Sequence, residues 1–254
     1  MLASETRGEG VPVVLLHMFG LDRNSMIAAF EPVFGAGWER TYVDLPGCGE
    51  SAPVGASSGA VLDAVISFIG GRGRPVLLVG ASYGGYIAIG VARRRPDLVR
   101  GLVLVCSGNR ILVSDRTVPD GPPGVAEDGW LNGVPETLRA HLDQAVGTRT
   151  RVVAERIAGL IEAARTQDEY LEKLRATAYQ LSDEGVAHEY AGPVLMLCGR
   201  EDRVAGYADQ LAAMAAYPNG TYVAIPGAGH YLPYERPDAF RQVVRGWLDV
   251  ASGV

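Results

Sequence analysis

The chain is poor in cysteine and histidine and has no excess of positive charge. Its three cysteines, Cys48, Cys106 and Cys198, are odd in number, widely spaced and mostly set beside apolar strand-type residues. That pattern argues against a disulfide framework or a metal site and reads as buried thiols in a reducing compartment. A formal net charge of −6 gives no long-range attraction to phosphate, so nucleic acid and anionic membrane surfaces are poor partners. The one basic cluster, Arg93-Arg94-Arg95, falls at the end of an expected helix, where cations complement exposed carbonyls. No apolar run approaches the about 18 residues of a membrane span. The opening MLASETRGEG has neither the apolar run nor the basic leader of a secretory signal, so the expected location is cytoplasmic. There is no Gly-x-Gly-x-x-Gly, no Walker-type loop and no Cys/His metal spacing, and no cofactor is expected.

What is present is a chain of 254 residues, 48% hydrophobic and 20% charged, long enough to bury a sizeable core. Apolar runs at residues 11–17, 38–45, 76–79 and 99–106 read as strands. Helical stretches at 23–34, 58–69 and 86–93 separate them. Strict alternation of strand and helix implies a parallel sheet with right-handed crossovers. The alternation stops at residue 107. Up to residue 191 no strand signal appears; a Pro/Gly-rich loop at 118–128 precedes helical patterns at 135–146, 151–165 and 168–181. Strands at 193–198 and 221–225 and helices at 207–217 and 237–250 then complete the sheet. The expectation is one α/β domain, residues 1–106 and 192–254, with a helical cap inserted at 107–191 over the strand ends.

The chemistry gathers where strands end. The run VLLVGASYGG, residues 76–85, is strand, tight turn and helix with Ser82 at the turn, the Gly-x-Ser-x-Gly nucleophile elbow. A serine hydroxyl needs a base, and the base needs a group that fixes its tautomer. Only four histidines are available. His230 follows the last strand and Asp202 follows the strand at 193–198. In a parallel sheet both loops open on the same edge as the elbow. Three separated residues, in the chain order Ser, Asp, His, thus converge on one edge.

With these pieces in place the chain resembles the α/β-hydrolases of the capped esterase and lipase-like type. The resemblance rests on His17-x-x-Gly20, Asp44-x-Pro46-Gly47-x-Gly49-x-Ser51, the elbow at Ser82, Gly199-x-x-Asp202, and Gly-x-Gly-His ending at His230. It implies Ser82 as nucleophile, His230 as general base and then acid, and Asp202 as the orienting carboxylate, with Glu201 the alternative. It also implies backbone oxyanion donors at Tyr83 and Phe19 and a structural role for His17. Met18 stands where the family usually has glycine and is expected, with Phe19, to narrow the pocket. Asp44 is expected to tie the turn after it, and His141 and His188 to be solvated. Met18, Trp130, Leu131 and Tyr231 are candidate pocket residues; Trp130, Leu131, Tyr170 and Tyr179 face either a pocket or the core. The implied function is a serine hydrolase acting on a small or medium apolar carboxylic ester or lactone, of unspecified oligomeric state. The same triad also serves C–C bond, thioester and cofactor-free perhydrolase chemistry. A non-catalytic small-molecule receptor on this fold is the reading from another class. Serine at the elbow disfavours haloalkane dehalogenase and epoxide hydrolase chemistry, which use aspartate there.

Overall fold

The structure, a computed structural model, describes residues 1–120 and 124–251. The expected loop at 118–128 therefore lies partly, at 121–123, outside the described residues. Among the described residues seven strands form one sheet: β1 (Ser4–Arg7), β2 (Val11–Leu16), β3 (Trp38–Val43), β4 (Val76–Ala81), β5 (Val99–Val105), β6 (Val194–Gly199) and β7 (Gly220–Ile225). Their spatial order is β1-β3-β2-β4-β5-β6-β7; only β1 runs antiparallel to its neighbour. The helices are α1 (Arg23–Phe30), α2 (Ser58–Gly70), α3 (Tyr83–Arg94), α4 (Glu136–Ala145), α5 (Arg151–Ala163), α6 (Asp168–Thr177), α7 (Tyr207–Ala213), α8 (Leu232–Glu235) and α9 (Pro237–Ala251).

The continuous apolar runs are explained by burial on both faces of the sheet. Successive strand residues point to opposite sides. Val13 and Leu15 join Phe30 of α1 and Phe240 and Val244 of α9, whereas Val14 and Leu16 join Leu62 and Val65 of α2 and Ile87 and Val91 of α3. Each fully buried side chain of this kind contributes about 1.5–3 kcal/mol relative to exposure, so both layers fix the strand ends from which the loops spring.

Several expected boundaries move, each for a local reason. The strand β1 has no apolar run to announce it. Its residues alternate exposed and half-buried at the sheet edge, where Thr6 and Thr41 share a hydroxyl contact of 3.0 Å. The helix α1 stops at Phe30 rather than residue 34 because Pro32 has no N–H to continue the ladder. α6 ends at Thr177, four residues early. The freed carbonyls of Ala178 and Tyr179 accept from the backbone N–H (2.9 Å) and hydroxyl (2.6 Å) of Ser58 at the start of α2. α7 gives way after Ala213 to a short 3-10 turn, and α8 is an additional single turn containing Pro233.

Among the described residues, those between β5 and β6 carry the helices α4, α5 and α6 and no named strand. They pack against both layers rather than around a core of their own. Leu142, Val153 and Ile157 join the cluster of Phe240, and Leu174 and Leu181 join that of Leu62. The α5–α6 link is stitched to the turn after β3: Gly49 N–H donates to the Arg165 carbonyl (2.7 Å) and Gln167 N–H to that of Gly47 (2.8 Å).

Candidate active site

β4 passes into α3 through Ser82, whose φ of 49° and ψ of −115° lie outside the regions most side chains adopt. Strain of this kind, of order 1–3 kcal/mol, persists only where the surroundings over-determine it. Here Ser82 N–H donates to the Val105 carbonyl (2.9 Å) while its own carbonyl accepts from Tyr86 (3.0 Å) and Gly108 (3.3 Å). The flanking glycines serve close approach rather than a positive φ. A Cβ on Gly80 would lie 2.5 Å from the Gly84 carbonyl oxygen, and one on Gly84 would lie 2.3 Å from that of Leu16.

The loops after β6 and β7 meet this turn. His230 Nε2 lies 2.8 Å from Ser82 Oγ, and His230 Nδ1 lies 3.0 Å from Asp202 Oδ2. An ionised carboxylate only accepts, so Nδ1–H donates to Asp202 and Nε2 accepts from the serine hydroxyl. The second oxygen of Asp202 accepts from the N–H groups of Val204 (2.8 Å) and Ala205 (2.9 Å). Full burial pushes the Asp202 carboxyl up. The adjacent His230 and these two N–H donors outweigh burial and hold it below the usual aspartate range. Asp202, not Glu201, meets the histidine; Glu201 uses its N–H to bond the Ala228 carbonyl at 2.9 Å.

On the other side of Ser82, His17 is fully buried and structural. Its Nδ1–H donates to the Met18 carbonyl (2.7 Å), and its Nε2 accepts from Leu45 N–H (2.9 Å). Burial pushes its pKa down. Asp44 ties its turn as expected, accepting from Arg23 N–H (2.8 Å) and Glu50 N–H (3.0 Å). The rings of Phe19 and Tyr83, the two residues from which oxyanion donors are expected, meet edge to face at 5.3 Å. Tyr179 completes the cluster, stacked on Tyr83 at 5.4 Å and edge-on to Phe19 at 5.4 Å, and the Arg175 guanidinium lies 4.3 Å above Phe19.

A groove of about 480 Å³ runs beside these residues, lined by Phe19, Gly20, His141, Leu171, Arg175 and Tyr231 among others. Three pocket expectations need correction. Met18 turns its side chain into the core, only 5% exposed, and does not narrow the groove. Trp130 is buried in the same cluster beneath the Arg149 guanidinium (5.0 Å), and Leu131 packs against that cluster. The indole and the leucine are therefore core. Tyr231 does line the groove. It shares a 2.8 Å hydrogen bond with His141, which is exposed as expected and also borders the groove. His188 is half-buried and edge-on to Tyr217 at 5.9 Å instead of fully solvated. Tyr170 packs against the Leu62 layer. Sequence reasoning missed His141, Arg175 and Glu235; only the closeness of Glu235 to His230 in the chain could have drawn attention to it.

Among the described residues no group of three or more His, Cys, Asp or Glu is placed to hold a metal ion, and no helix is long and apolar enough to cross a membrane. Comparison with known proteins identifies the family. A sequence model of the "Alpha/beta hydrolase family" matches residues 13–243. A pimeloyl-[acyl-carrier protein] methyl ester esterase of Methylococcus capsulatus is 32% identical over 219 residues, 79% of this chain and 80% of that protein. A 2-hydroxy-6-oxononadienedioate/2-hydroxy-6-oxononatrienedioate hydrolase of Pseudomonas putida is 24% identical over 258 residues, 95% of this chain and 89% of that one. The crystal structure of an alpha/beta superfamily hydrolase from Oenococcus oeni superposes with a TM-score of 0.88 at 28% identity, covering 98% of this chain and 95% of the other.

Proposed function

The chain belongs to the alpha/beta hydrolase family, and from that premise we propose that it is a serine hydrolase of small or medium carboxylic esters or lactones. The observation that carries this reading is the unbroken hydrogen-bonded chain from Asp202 through His230 to Ser82, at 3.0 and 2.8 Å. In the proposed reaction His230 Nε2 takes the hydroxyl proton as Ser82 Oγ attacks the ester carbonyl. Asp202 holds the imidazole in the required tautomer and stabilises the imidazolium. The tetrahedral oxyanion is met by the N–H groups of Tyr83, at the start of α3, and of Phe19, each worth about 3–4 kcal/mol in comparable sites. Collapse expels the alkoxide, which takes the proton from His230. Water then enters by the same route and releases the acid.

The groove beside Phe19 and Tyr231 supports an acyl or alcohol chain of modest size, with residues 107–191 acting as the cap that forms its far wall. A panel of p-nitrophenyl esters of increasing chain length, with a lactone and a thioester alongside, tests the reading. Turnover that rises to an optimum at short or medium chains agrees with it, and absence of turnover on all of them counts against it. A second reading follows from the similarity to the Pseudomonas putida hydrolase, whose named substrate carries a ketone and no ester. There the same three residues would act on a C–C bond, and turnover of a ring-cleavage diketone exceeding that of every ester would favour it.

A further inference from the structure

Glu235 lies five residues beyond His230 in the one-turn helix α8 and is only 4% exposed. Its Oε1 accepts from Tyr231 N–H (3.0 Å). Its Oε2 accepts from three backbone N–H groups, those of Gly229 (2.9 Å), Gly147 (2.8 Å) and Thr148 (2.8 Å). The residue between the first and last members of its own loop, His230, donates its N–H to the Ala145 carbonyl (2.7 Å). Three successive backbone N–H groups, at 229, 230 and 231, are thus fixed, two by one carboxylate and one by the end of α4. The two segments approach so closely that side chains are excluded: a Cβ on Gly229 would lie 2.2 Å from the Ala145 oxygen, and one on Gly147 would lie 2.7 Å from the Gly229 nitrogen. The Thr148 hydroxyl bonds the Gly227 carbonyl and closes the other end of the loop.

A carboxylate so deeply buried is expensive unless its oxygens are filled by donors. Burial pushes the Glu235 carboxyl up, and its four N–H partners pull against that push. Two of the donors that fill it, Gly229 and Tyr231, flank His230, and the other two, Gly147 and Thr148, follow α4. We propose that Glu235 is a positioning residue for His230: it holds the peptide units on either side of the histidine against the end of α4, so that Nε2 stays within reach of Ser82 while Nδ1 stays on Asp202. The inference rests on the serine-hydrolase reading above. It accounts for the second glycine of Gly-x-Gly-His as a requirement of the contact with Ala145. It also makes residues 145–148, far from the sheet in sequence, part of what aligns the base.

The test compares the parent with Glu235→Gln, which keeps the shape but replaces one accepting oxygen by an NH₂ donor facing another N–H. Glu235→Asp, which keeps the charge but retracts it, is the second variant. Three quantities are read on folded protein at 25 °C: kcat and KM for a p-nitrophenyl ester, the rate at which a fluorophosphonate labels Ser82, and the downfield proton resonance of the His230–Asp202 hydrogen bond. The expected result for Glu235→Gln is a fall of at least tenfold in kcat and in labelling rate, KM within about twofold of the parent, and a shifted or broadened resonance. Parent-like kcat, labelling and resonance with only a lowered melting temperature would overturn the proposal. Loss of the folded state in both variants would also overturn it, because the carboxylate would then serve the fold alone. A parent that is itself neither active nor labelled points instead to failure of the serine-hydrolase reading.

Discussion

The two sides of Ser82 are built from different chemistry. On the His230 side almost every positioning contact is a hydrogen bond to backbone: Val204 and Ala205 to Asp202, Gly229 and Tyr231 to Glu235, and His230 itself to Ala145. On the side of the proposed oxyanion donors His17 makes two hydrogen bonds to backbone, to the Met18 carbonyl and from Leu45 N–H, but the donor residues themselves pack through rings, Phe19, Tyr83 and Tyr179 within 5.4 Å of one another with the Arg175 guanidinium over Phe19. The difference fits what each side must do. A base has to keep one direction toward its serine through two proton transfers, and hydrogen bonds are directional. The donors need their backbones held at a fixed separation with water kept out, which packed rings achieve through shape.

Substitutions can break or sharpen that contrast. The largest effect belongs to the reacting atoms: Ser82→Ala and His230→Ala should each lower kcat for an ester by a factor on the order of 10⁶, with circular dichroism unchanged. Asp202→Asn comes next, at about 10⁴, because the amide can present its NH₂ to Nδ1 and favour the wrong tautomer. On the ring side the expected loss is smaller. Tyr179→Ala, which removes the ring touching both proposed donors, should reduce kcat by about tenfold, less than the 10²–10³ of deleting a donor outright. Tyr179→Phe should stay near the parent because the stack needs only the ring. A Tyr179→Ala loss equal to that of Asp202→Asn would abolish the contrast between the two sides.

The smallest effect is on stability against pH. The folded-state value of the Asp202 carboxyl lies below the ordinary aspartate value. Its contribution to stability is therefore complete above the ordinary value, about 3.9, and is lost as pH falls through the lower folded-state value. Urea midpoints of the parent and of Asp202→Asn, compared from pH 7 downward, should converge only below about pH 4. Convergence already near neutrality would contradict the depressed carboxyl.

The sheet and the three central residues were legible because each has a local signature. Runs such as Val76-Leu77-Leu78-Val79 can satisfy their burial only as strands covered on both faces, and a parallel sheet sends all its C-terminal loops to one edge. Ser82, Asp202 and His230 meet for that reason. What was not legible depends on partners far away in the chain. β1 has no apolar run and exists because it pairs with β3. α6 ends early, and the carbonyls just past its end, those of Ala178 and Tyr179, are taken by Ser58. Trp130 reads equally well as pocket or core until Arg149 and the Phe240 layer are in place. The role of Glu235 is invisible without Gly147 and Thr148, some 88 and 87 residues earlier. α4 to α6 carry helical periodicity, but nothing in it marks which of their polar residues, His141 and Arg175 among them, face the groove, so the groove could not be drawn from the sequence.

The central claim is that Ser82, activated by His230, accepts an acyl group. The most direct measurement is intact-protein mass spectrometry and peptide mapping after treatment with a fluorophosphonate. The account predicts a single adduct on the peptide carrying Ser82 in the parent, no adduct in Ser82→Ala and a strongly slowed adduct in His230→Ala. An unmodified parent, or an adduct that persists undiminished in Ser82→Ala, would contradict it.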